Sequence, residues 1–211
     1  MQKQIERGIE VLKNGGVIAF PTDTVYGLGA DAFNAVAVDR IYDIKGRRRD
    51  RQFPLLIADT ESLAVLAGEI PEMARFLAGR FWPGGLTMVL PAAASLPAHL
   101  GTGPGIAVRI PDHPVCLALI RGLGKAVIGT SANLSGQRPA LTAAEIRQHL
   151  ADKIDCIIDG GRCSGGKEST VVDVTGKAPV ILREGIIPAT EIERAYQEYQ
   201  EVDNEAHCHR C

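Results

Sequence analysis

The sequence has few aromatic residues and no strong charge of either sign. Aromatic residues make up 5% of the 211 residues, and the formal net charge at pH 7 is −2. Proteins that bind nucleic acid are usually basic, and those that bind single strands stack the bases on aromatic side chains. These deficits argue against nucleic-acid binding as the main function. A non-catalytic RNA-binding protein stays open as the alternative.

The chain also lacks long apolar runs. None approaches the roughly 20 residues that a membrane-spanning helix needs, and residues 1–6 lack the apolar core of a secretion signal. We therefore expect a cytoplasmic protein with no membrane partner. The length predicts one domain over residues 1–200 and a flexible tail over residues 201–211.

Cysteine is scarce, and its number is odd. Five cysteines do not form the even framework of a disulfide-stapled secreted protein. Cys116 and Cys156 fall in apolar patterns and are expected to be buried, reduced thiols. The tail carries a C-x-x-C motif with two histidines, which could be half of a zinc site: His207, Cys208, His209 and Cys211. A closed zinc site needs four ligands on ordered backbone, so a frayed tail is the favoured interpretation.

Common catalytic motifs are incomplete. Residues 161–167 fit the phosphate-loop pattern G-x-x-x-x-G-K, but Glu168 follows where that loop has serine or threonine. A strand pattern then follows, rather than the helix whose N-terminus would hold phosphate. Three scattered histidines are expected at the surface: His99, His113 and His149. Acid–base catalysis and Ser-His catalysis are therefore not indicated.

Helix and strand patterns alternate along the chain. The helical pattern covers residues 5–12, 35–44, 61–67, 71–80, 115–121 and 142–150, followed by an acidic helix capped by Thr190. Apolar runs predict strands over 17–20, 55–57, 86–90, 106–110, 126–128, 156–158, 170–174 and 180–182. The last three strands are separated only by turns, so they cannot all be parallel. We predict an α/β fold: one domain with a twisted, mixed parallel and antiparallel sheet flanked by helices.

Polar side chains follow the first predicted strand. Pro21 ends its ladder, and the hydroxyls of Thr22, Thr24 and Tyr26 are then expected to line a cleft. The glycines at 27 and 29 allow close approach of the backbone there. Alone, the threonines fit simple turn hydroxyls equally well.

Further polar and basic residues lie near other strand ends. They are Lys45, Arg47, Ser131, Asn133, Ser135, Ser169, Thr170 and Arg183. Arg109 lies inside a strand, on the same face as Ala107, and an arginine among apolar residues needs an anionic partner. Ser131 and Asn133 could simply turn the backbone, and the run Arg48, Arg49 and Arg51 is interpreted as solvated surface. Together the clusters suit a phosphate and a carboxylate bound in one cleft, because arginine matches both groups bidentately.

Seven segments in order resemble the YrdC-like family, the L-threonylcarbamoyladenylate synthases. They are FPTDTVYGLG (20–29), KGR (45–47), WPGGLT (82–87), VR (108–109), SAN (131–133), STVVD (169–173) and LREG (182–185). The resemblance covers about residues 5–190. It implies a YrdC-like α/β fold with a concave basic cleft. Longer relatives carry a further C-terminal domain joined by a linker. The 211 residues are too few to include one, so the chain is expected to resemble the short, single-domain form.

The resemblance also implies a reaction. L-threonine, bicarbonate or CO2, and ATP give threonylcarbamoyl-AMP and pyrophosphate, with Mg²⁺ on the ATP and no dedicated metal site in the protein. This is the first step of N6-threonylcarbamoyladenosine (t6A) formation in tRNA. A tRNA threonylcarbamoyltransferase complex is the implied partner, and a weak contact with tRNA is expected.

Site residues carry over by position. Thr22, Arg109 and Ser169 are implied to bind L-threonine, and Lys45, Arg47, Ser131, Asn133 and Arg183 to bind ATP. No catalytic acid or base is implied, since Lys45 and Arg47 act by positioning and by neutralising charge. Some relatives have polar ligands where this chain has Ala58, Gly105 and Ala140, which leaves the contacts at those positions open.

Overall fold

Helices and strands alternate along the chain, as the hydrophobic pattern predicts. The computed structural model describes residues 1–100, 103, 105–134 and 136–208. Its α-helices are α1 (Gln2–Lys13), α2 (Ala35–Lys45), α3 (Glu72–Phe81), α4 (Pro114–Leu123), α5 (Ala143–Leu150) and α6 (Ala189–Cys208). Its strands are β1 (Ile18–Phe20), β2 (Gly27–Gly29), β3 (Leu55–Leu56), β4 (Leu86–Pro91), β5 (Gly105–Arg109), β6 (Val127–Ile128), β7 (Thr130–Ser131), β8 (Cys156–Ile157), β9 (Thr170–Asp173) and β10 (Val180–Arg183).

The strands form two mixed sheets. The smaller sheet has the order β7-β2-β1-β8, and the larger has the order β10-β9-β4-β5-β3-β6. Of the three late strands, β9 and β10 pair antiparallel, whereas β8 joins the other sheet parallel to β1. The prediction of an α/β domain with mixed pairing is therefore confirmed, with the strands divided between two sheets.

The two sheets meet at Gly129. This residue alone separates β6 in the larger sheet from β7 in the smaller one. A Cβ atom at Gly129 would lie 2.4 Å from Cγ of Leu56, so a side chain has no room there. The close contact brings the ends of strands from both sheets to one place, which becomes the candidate site.

Two apolar clusters hold the helices to the sheets. One face of α1 packs with α4 against the first cluster, which includes Leu12, Phe20 and Leu119. The larger cluster includes residues of both sheets, and α3 and α6, which pack together, also contribute to it. Residues such as Leu77, Met88 and Ile192 are almost fully buried there. Burial at roughly 25 cal/mol per Å² of apolar surface is the main stabilising contribution.

The sequence patterns missed two strands, β2 and β7. Strand β2 consists of Gly27, Leu28 and Gly29, and two glycines weaken any strand signal. Glycine is nevertheless required at position 29, because a Cβ atom would lie 2.6 Å from the ring of Phe20 and 2.8 Å from the carbonyl oxygen of Ile128. The predicted close approach of the backbone is thus contact between strands.

Of three predictions about helix type and helix ends, two are wrong and one is confirmed. The helix expected over 61–67 is a short 3₁₀ helix, Glu61–Val65. Helix α6 begins at Ala189, so Thr190 lies inside its first turn and is not the cap. Thr142 does cap α5, because its hydroxyl accepts a hydrogen bond from the amide of Glu145 at 3.3 Å.

The C-terminal end of the described chain is helical. Helix α6 continues to Cys208, and His209 and Cys211 of the tail motif lie outside the described residues. Within the residues that the structure covers, no helix combines the length and apolar character needed to cross a membrane.

Candidate active site

Two adjoining cavities lie where the two sheets meet. The inner cavity has a volume of about 210 Å³ and is lined by residues that include Thr22, Thr24, Thr87, Arg109 and Ser169. The outer cavity has a volume of about 450 Å³, and its lining includes Lys45, Arg48, Arg51, Asn133 and Gln137. Four residues line both cavities: Arg47, Ser131, Glu168 and Arg183.

The structure brings all eight predicted site residues to these walls. Thr22, Arg109 and Ser169 line the inner cavity, Lys45 and Asn133 line the outer one, and the other three line both. L-threonine, implied for the inner residues, is much smaller than ATP, implied for the outer ones, and the two cavity volumes differ in the same direction. The inner cavity is smaller than the roughly 300–1,000 Å³ of typical drug-sized pockets, whereas the outer one falls in that range.

A threonine turn forms one wall of the inner cavity. The buried hydroxyl of Thr22 donates to the carbonyl oxygen of Val25 at 2.6 Å and accepts from the amides of Thr24 and Val25 at 3.1 and 3.3 Å. It also lies 2.9 Å from the Thr24 hydroxyl. Thr22 therefore shapes the turn as well as facing the cavity.

Tyr26 does not line either cavity, so this expectation was wrong. Its side chain is fully buried, and its hydroxyl donates to the carbonyl oxygen of Gly161 at 2.8 Å and accepts from the amide of Gly160 at 3.2 Å. Burial raises the pKa of the Tyr26 phenol. These two bonds to the backbone of the segment at Gly160 and Gly161 hold the Tyr26 ring in the core, away from both cavities.

Arg109 has the anionic partner that a strand arginine requires. Its Nη2 lies 2.6 Å from Oδ1 of Asp23, and the two side chains are only 7% and 18% exposed. Nη1 donates to the Thr24 hydroxyl at 3.1 Å, and Nε donates to the carbonyl oxygen of Gly84 at 2.8 Å. Three of the five N–H groups of the guanidinium are thereby used, which leaves two for a ligand.

Ser169 and Arg183 form the wall that faces both cavities. The Ser169 hydroxyl lies 2.8 Å from that of Thr87 on β4. Arg183, at the end of β10, donates from Nε and Nη2 to the carbonyl oxygen of Ser169 at 3.2 and 2.9 Å. Its Nη1 donates to Oε2 of Glu168 at 3.2 Å. Arg183 is thus held in position by the segment that leads into β9.

Lys45 is buried and fully hydrogen bonded. Its Nζ donates to the carbonyl oxygens of Ser131 and Asn133 at 2.6 and 2.9 Å and to Oδ1 of Asn133 at 2.8 Å. An ammonium group has three N–H donors, and these bonds use all of them. Burial lowers the pKa of Lys45 to about 8. Lys45 therefore fixes the backbone after β7 and places a charge beneath the outer cavity.

Arg47 is held by the backbone of the loop that follows α2. Its Nε and Nη2 donate to the carbonyl oxygens of Arg51 and Gln52, each at 3.0 Å, and its guanidinium carbon lies 4.9 Å from the ring centre of Phe53. These contacts use the positive group without neutralising it. Among the described residues, Arg47 forms no ion pair.

The remaining basic residues of this loop are exposed, as predicted. Arg48 pairs with Asp50, and Arg49 pairs with Asp39 and Asp43. Arg48 and Arg51 nevertheless line the outer cavity. They therefore add positive charge at its rim.

The histidines do not support a nucleophile. His149 is exposed, as predicted, but His99 and His113 are half-buried. Nε2 of His99 lies 2.9 Å from the carbonyl oxygen of Ala32. Nδ1 of His113 accepts from the amide of Val115 at the start of α4, and burial lowers the pKa of His113. The surface prediction failed for these two because each ring bonds to nearby backbone.

The cysteines agree with the sequence analysis only in part. Cys116 is fully buried in α4, whereas Cys156 in β8 is only partly buried. Cys163, which the sequence analysis did not single out, is also buried. Burial raises the pKa of all three thiols.

The positions with altered ligands lie outside the two cavities. Ala58 lines another cavity, Ala140 lines one that shares Asn133, Gln137 and Pro139 with the outer cavity, and Gly105 packs where a Cβ atom would meet Val89 at 2.6 Å. None of the three lines the inner or the outer cavity. Ser135, which the sequence analysis also named, lies outside the described residues.

Three residues of the site gave weak sequence signals. Asp23 was read only as part of a motif, yet it pairs with Arg109. Thr87 is fully buried in β4, and Glu168 was noted only because it breaks the phosphate-loop pattern. The sequence marks each of these residues only as a polar residue in or beside an apolar strand. It does not show the partners of Asp23 and Thr87, because these lie far away along the chain.

No group of three or more potential metal ligands occurs within the described part of the chain. Glu168 supplies the carboxylate that both cavities share. Mg²⁺ usually keeps several waters and binds through one or two carboxylates together with substrate phosphates. One carboxylate and several basic side chains therefore line the two cavities.

Known proteins match most of this chain. A family model described as "Telomere recombination", that of the Sua5, YciO and YrdC proteins, matches residues 10–185. A threonylcarbamoyl-AMP synthase of Pyrococcus abyssi is 46% identical over 188 residues, which are 89% of this chain and 55% of that protein.

Solved structures agree. The crystal structure of P. abyssi Sua5 complexed with L-threonine has a TM-score of 0.89 at 44% identity, and the match covers 92% of this chain and 58% of that one. E. coli YciO has a TM-score of 0.80 at 31% identity, and the match covers 89% of this chain and 92% of that one. The chain thus spans little more than half the length of the Pyrococcus protein.

Proposed function

The chain belongs to the Sua5, YciO and YrdC family, and on that premise we propose that it is a threonylcarbamoyl-AMP synthase, a nucleotidyltransferase. The observation that carries the proposal is the joining of the two cavities through Arg47, Ser131, Glu168 and Arg183. An amino acid in the inner cavity would face a nucleotide in the outer one. Two substrates held side by side react as if they were parts of one molecule, which can lower the activation barrier by several kcal/mol.

The inner cavity is proposed to bind L-threonine. The two free N–H groups of Arg109 would bind its carboxylate, and the wall formed by Thr22 and Ser169 would contact the rest of the molecule. The pairing of Arg109 with Asp23 at 2.6 Å fixes the guanidinium before the substrate arrives. A preorganised charge of this kind binds a carboxylate without the cost of ordering a flexible side chain.

The outer cavity is proposed to bind the phosphates and nucleotide of MgATP. Arg47 and Arg183 would contact phosphate oxygens, and Ser131 and Asn133 would complete the shell. Lys45 would act mainly through its charge and through its hold on the backbone after β7, because its three donors are already used. Mg²⁺ would enter with the triphosphate as part of the substrate.

The reaction then follows from the arrangement. The threonine nitrogen and bicarbonate form a carbamate with loss of water, and a carbamate oxygen attacks the α-phosphorus of ATP. The bond from that phosphorus to the bridging oxygen breaks, and pyrophosphate leaves. Positioning and charge neutralisation supply the catalysis, which is consistent with a site that has no Ser-His pair.

The product would pass to a tRNA threonylcarbamoyltransferase complex, as the first step of t6A formation. A weak contact with tRNA and a cytoplasmic location form part of the same proposal. The RNA-binding alternative gains no support, since the curated relative is named as an enzyme and no exposed row of stacking aromatics accompanies the cavities in the described residues.

Radiolabelled bicarbonate tests the proposal. The wild-type protein should incorporate label and release pyrophosphate only when both L-threonine and ATP are present. Arg109→Ala in the inner cavity and Arg47→Ala in the outer one should each reduce the rate at least tenfold. Arg75→Ala, which removes an exposed arginine of α3 paired with Glu72, is the matched control and should retain the rate. Pyrophosphate release that does not depend on L-threonine would overturn the proposal.

A further inference from the structure

One carboxylate lies at the junction of the two cavities. Glu168 lines both cavities, and among the described residues no other aspartate or glutamate lines either of them. Its side chain is 34% exposed and accepts a hydrogen bond from Arg183 through one oxygen, Oε2. The other carboxylate oxygen is available to a ligand.

An amino acid needs both charges in its binding site. Its carboxylate requires a cation, which Arg109 supplies, and its ammonium group requires an anion or several acceptors. Asp23 does not line the inner cavity, and its Oδ1 already accepts from Arg109 and from the amide of Asp112. Glu168 is therefore the anion that a ligand in the inner cavity can reach.

Neighbouring strands carry the two charged groups to the inner cavity. Arg109 lies on β5, which pairs with β4, and β4 pairs in turn with β9. Glu168 lies two residues before β9 begins at Thr170. Arg109 and Glu168 therefore approach the inner cavity from either side of β4, and a ligand that contacts both spans this strand.

The direction of this span matters for the reaction. An amino acid with its carboxylate on Arg109 would place its nitrogen near the wall that both cavities share. The nitrogen must reach that wall, because the carbamate formed on it attacks a phosphate bound in the outer cavity.

We propose that Glu168 binds the ammonium group of the amino acid substrate and turns it toward the outer cavity. The proposal rests on the proposed function and assigns a specificity-determining residue within that site. It predicts that the site selects zwitterions over hydroxy acids. Once the nitrogen has lost its proton to solvent and become part of the carbamate, its attraction to Glu168 ends. Arg183 then remains as the partner of the Glu168 carboxylate.

Calorimetric binding without ATP tests the proposal. The probes are L-threonine and (2S,3R)-2,3-dihydroxybutanoate, which keeps the carboxylate and side chain and replaces the ammonium group by a hydroxyl. The wild-type protein should bind L-threonine at least tenfold more tightly than the hydroxy acid. Glu168→Gln should weaken L-threonine binding about tenfold and leave the hydroxy acid unchanged, so that the preference disappears.

A second variant separates direct contact from an effect through Arg183. Arg183→Gln breaks the same ion pair but keeps the carboxylate, so it should retain the preference for L-threonine. Binding of a non-hydrolysable ATP analogue by Glu168→Gln, at wild-type affinity or tighter, shows that the variant is folded.

Each outcome is decisive. If Glu168→Gln keeps the preference, or if Arg183→Gln loses it equally, Glu168 does not bind the ammonium group. If wild-type protein makes the threonylcarbamoyl product while Glu168→Gln keeps the preference, this inference fails and the proposed function stands. If wild-type protein binds no L-threonine, both fail.

Discussion

Hydrogen bonds and an ion pair between buried side chains fix the walls of the inner cavity. In the outer cavity, basic side chains are fixed mainly by hydrogen bonds to backbone carbonyl oxygens. Arg109 pairs with Asp23, and Ser169 pairs with Thr87. By contrast, Lys45 and Arg47 donate mainly to carbonyl oxygens. Within the residues that the structure covers, neither of these two bases forms an ion pair.

This difference in charge matches the proposed ligands. Carbonyl oxygens satisfy the donors of a base but leave its positive charge in place, so the proposed triphosphate would meet positive charge in the outer cavity. Arg109, which lines the inner cavity and not the outer one, is already paired with Asp23, so an amino acid that is neutral overall can bind beside it without leaving that charge pair uncompensated. On the proposed function, one site would thereby distinguish a zwitterion from a triphosphate across a shared wall.

The largest effect should come from breaking the buried ion pair of the inner cavity. Arg109→Ala leaves the carboxylate of Asp23 mostly buried without its partner, which should lower the free energy of unfolding by about 3–5 kcal/mol. L-threonine binding should be lost as well. Urea denaturation and calorimetry measure the two effects.

The double variant provides the control. Removing Asp23 together with Arg109 eliminates the unpaired charge, so part of the lost stability should return, while L-threonine binding should not. If the double variant is less stable than Arg109→Ala, the pair is not what the inner cavity depends on.

The second effect concerns the threonine turn. Thr22→Val removes one donor and leaves the amides of Thr24 and Val25 without their acceptor, at a cost of about 1–3 kcal/mol. L-threonine binding should fall more than nucleotide binding, because the turn is part of the inner wall alone. Thr22→Ser keeps the hydroxyl and should restore both. An equal loss for the two ligands would assign Thr22 a purely structural role.

A third effect distinguishes the outer cavity by its response to pH. Because burial lowers the pKa of Lys45 to about 8, this side chain is charged at pH 7 and mostly neutral at pH 9.5. An ATP analogue should bind wild-type protein about tenfold more tightly than Lys45→Met at pH 7, by about 1.4 kcal/mol. This ratio should fall toward one as pH rises through 8, since the attraction is lost with the proton.

L-threonine supplies the comparison for Lys45. The ratio of its affinities for wild-type protein and Lys45→Met should stay constant over the same pH range, because Lys45 does not line the inner cavity. A nucleotide ratio that is independent of pH would mean that Lys45 acts only by holding the backbone.

Local patterns were enough to predict most of the fold. Helices such as α1 and α4 have clear apolar spacing, and their bounds differ from the prediction by a few residues. Strand β2 was missed because two of its three residues are glycine. Its strand geometry depends on contact with Phe20 and Ile128, which no local pattern contains.

The site residues were predicted as a set, but their partners were not. Arg109 was recognised as needing an anion, whereas Asp23, 86 positions away, could not be selected from the other acidic residues. Tyr26 was assigned to the cleft because hydroxyls cluster near it, yet its hydroxyl bonds to the backbone of Gly160 and Gly161, which lie 134 and 135 positions away. Sequence patterns therefore identified chemistry that is local and missed pairings that only the sheets create.

The smallest effect should come from the rim of the outer cavity. Arg48 is 80% exposed and pairs with Asp50, which is 57% exposed, so Arg48→Ala should change stability by no more than about 0.5 kcal/mol. The affinity of Arg48→Ala for an ATP analogue should be about twofold below that of the wild type at low salt and equal to it at high salt, because exposed charges are screened.

The loss of L-threonine binding in Arg109→Ala should persist at high salt, since a buried pair is screened much less. Titrations of both variants at low and high ionic strength test this contrast directly, and a salt-sensitive loss in Arg109→Ala would remove the distinction between a preorganised inner cavity and an electrostatic outer one.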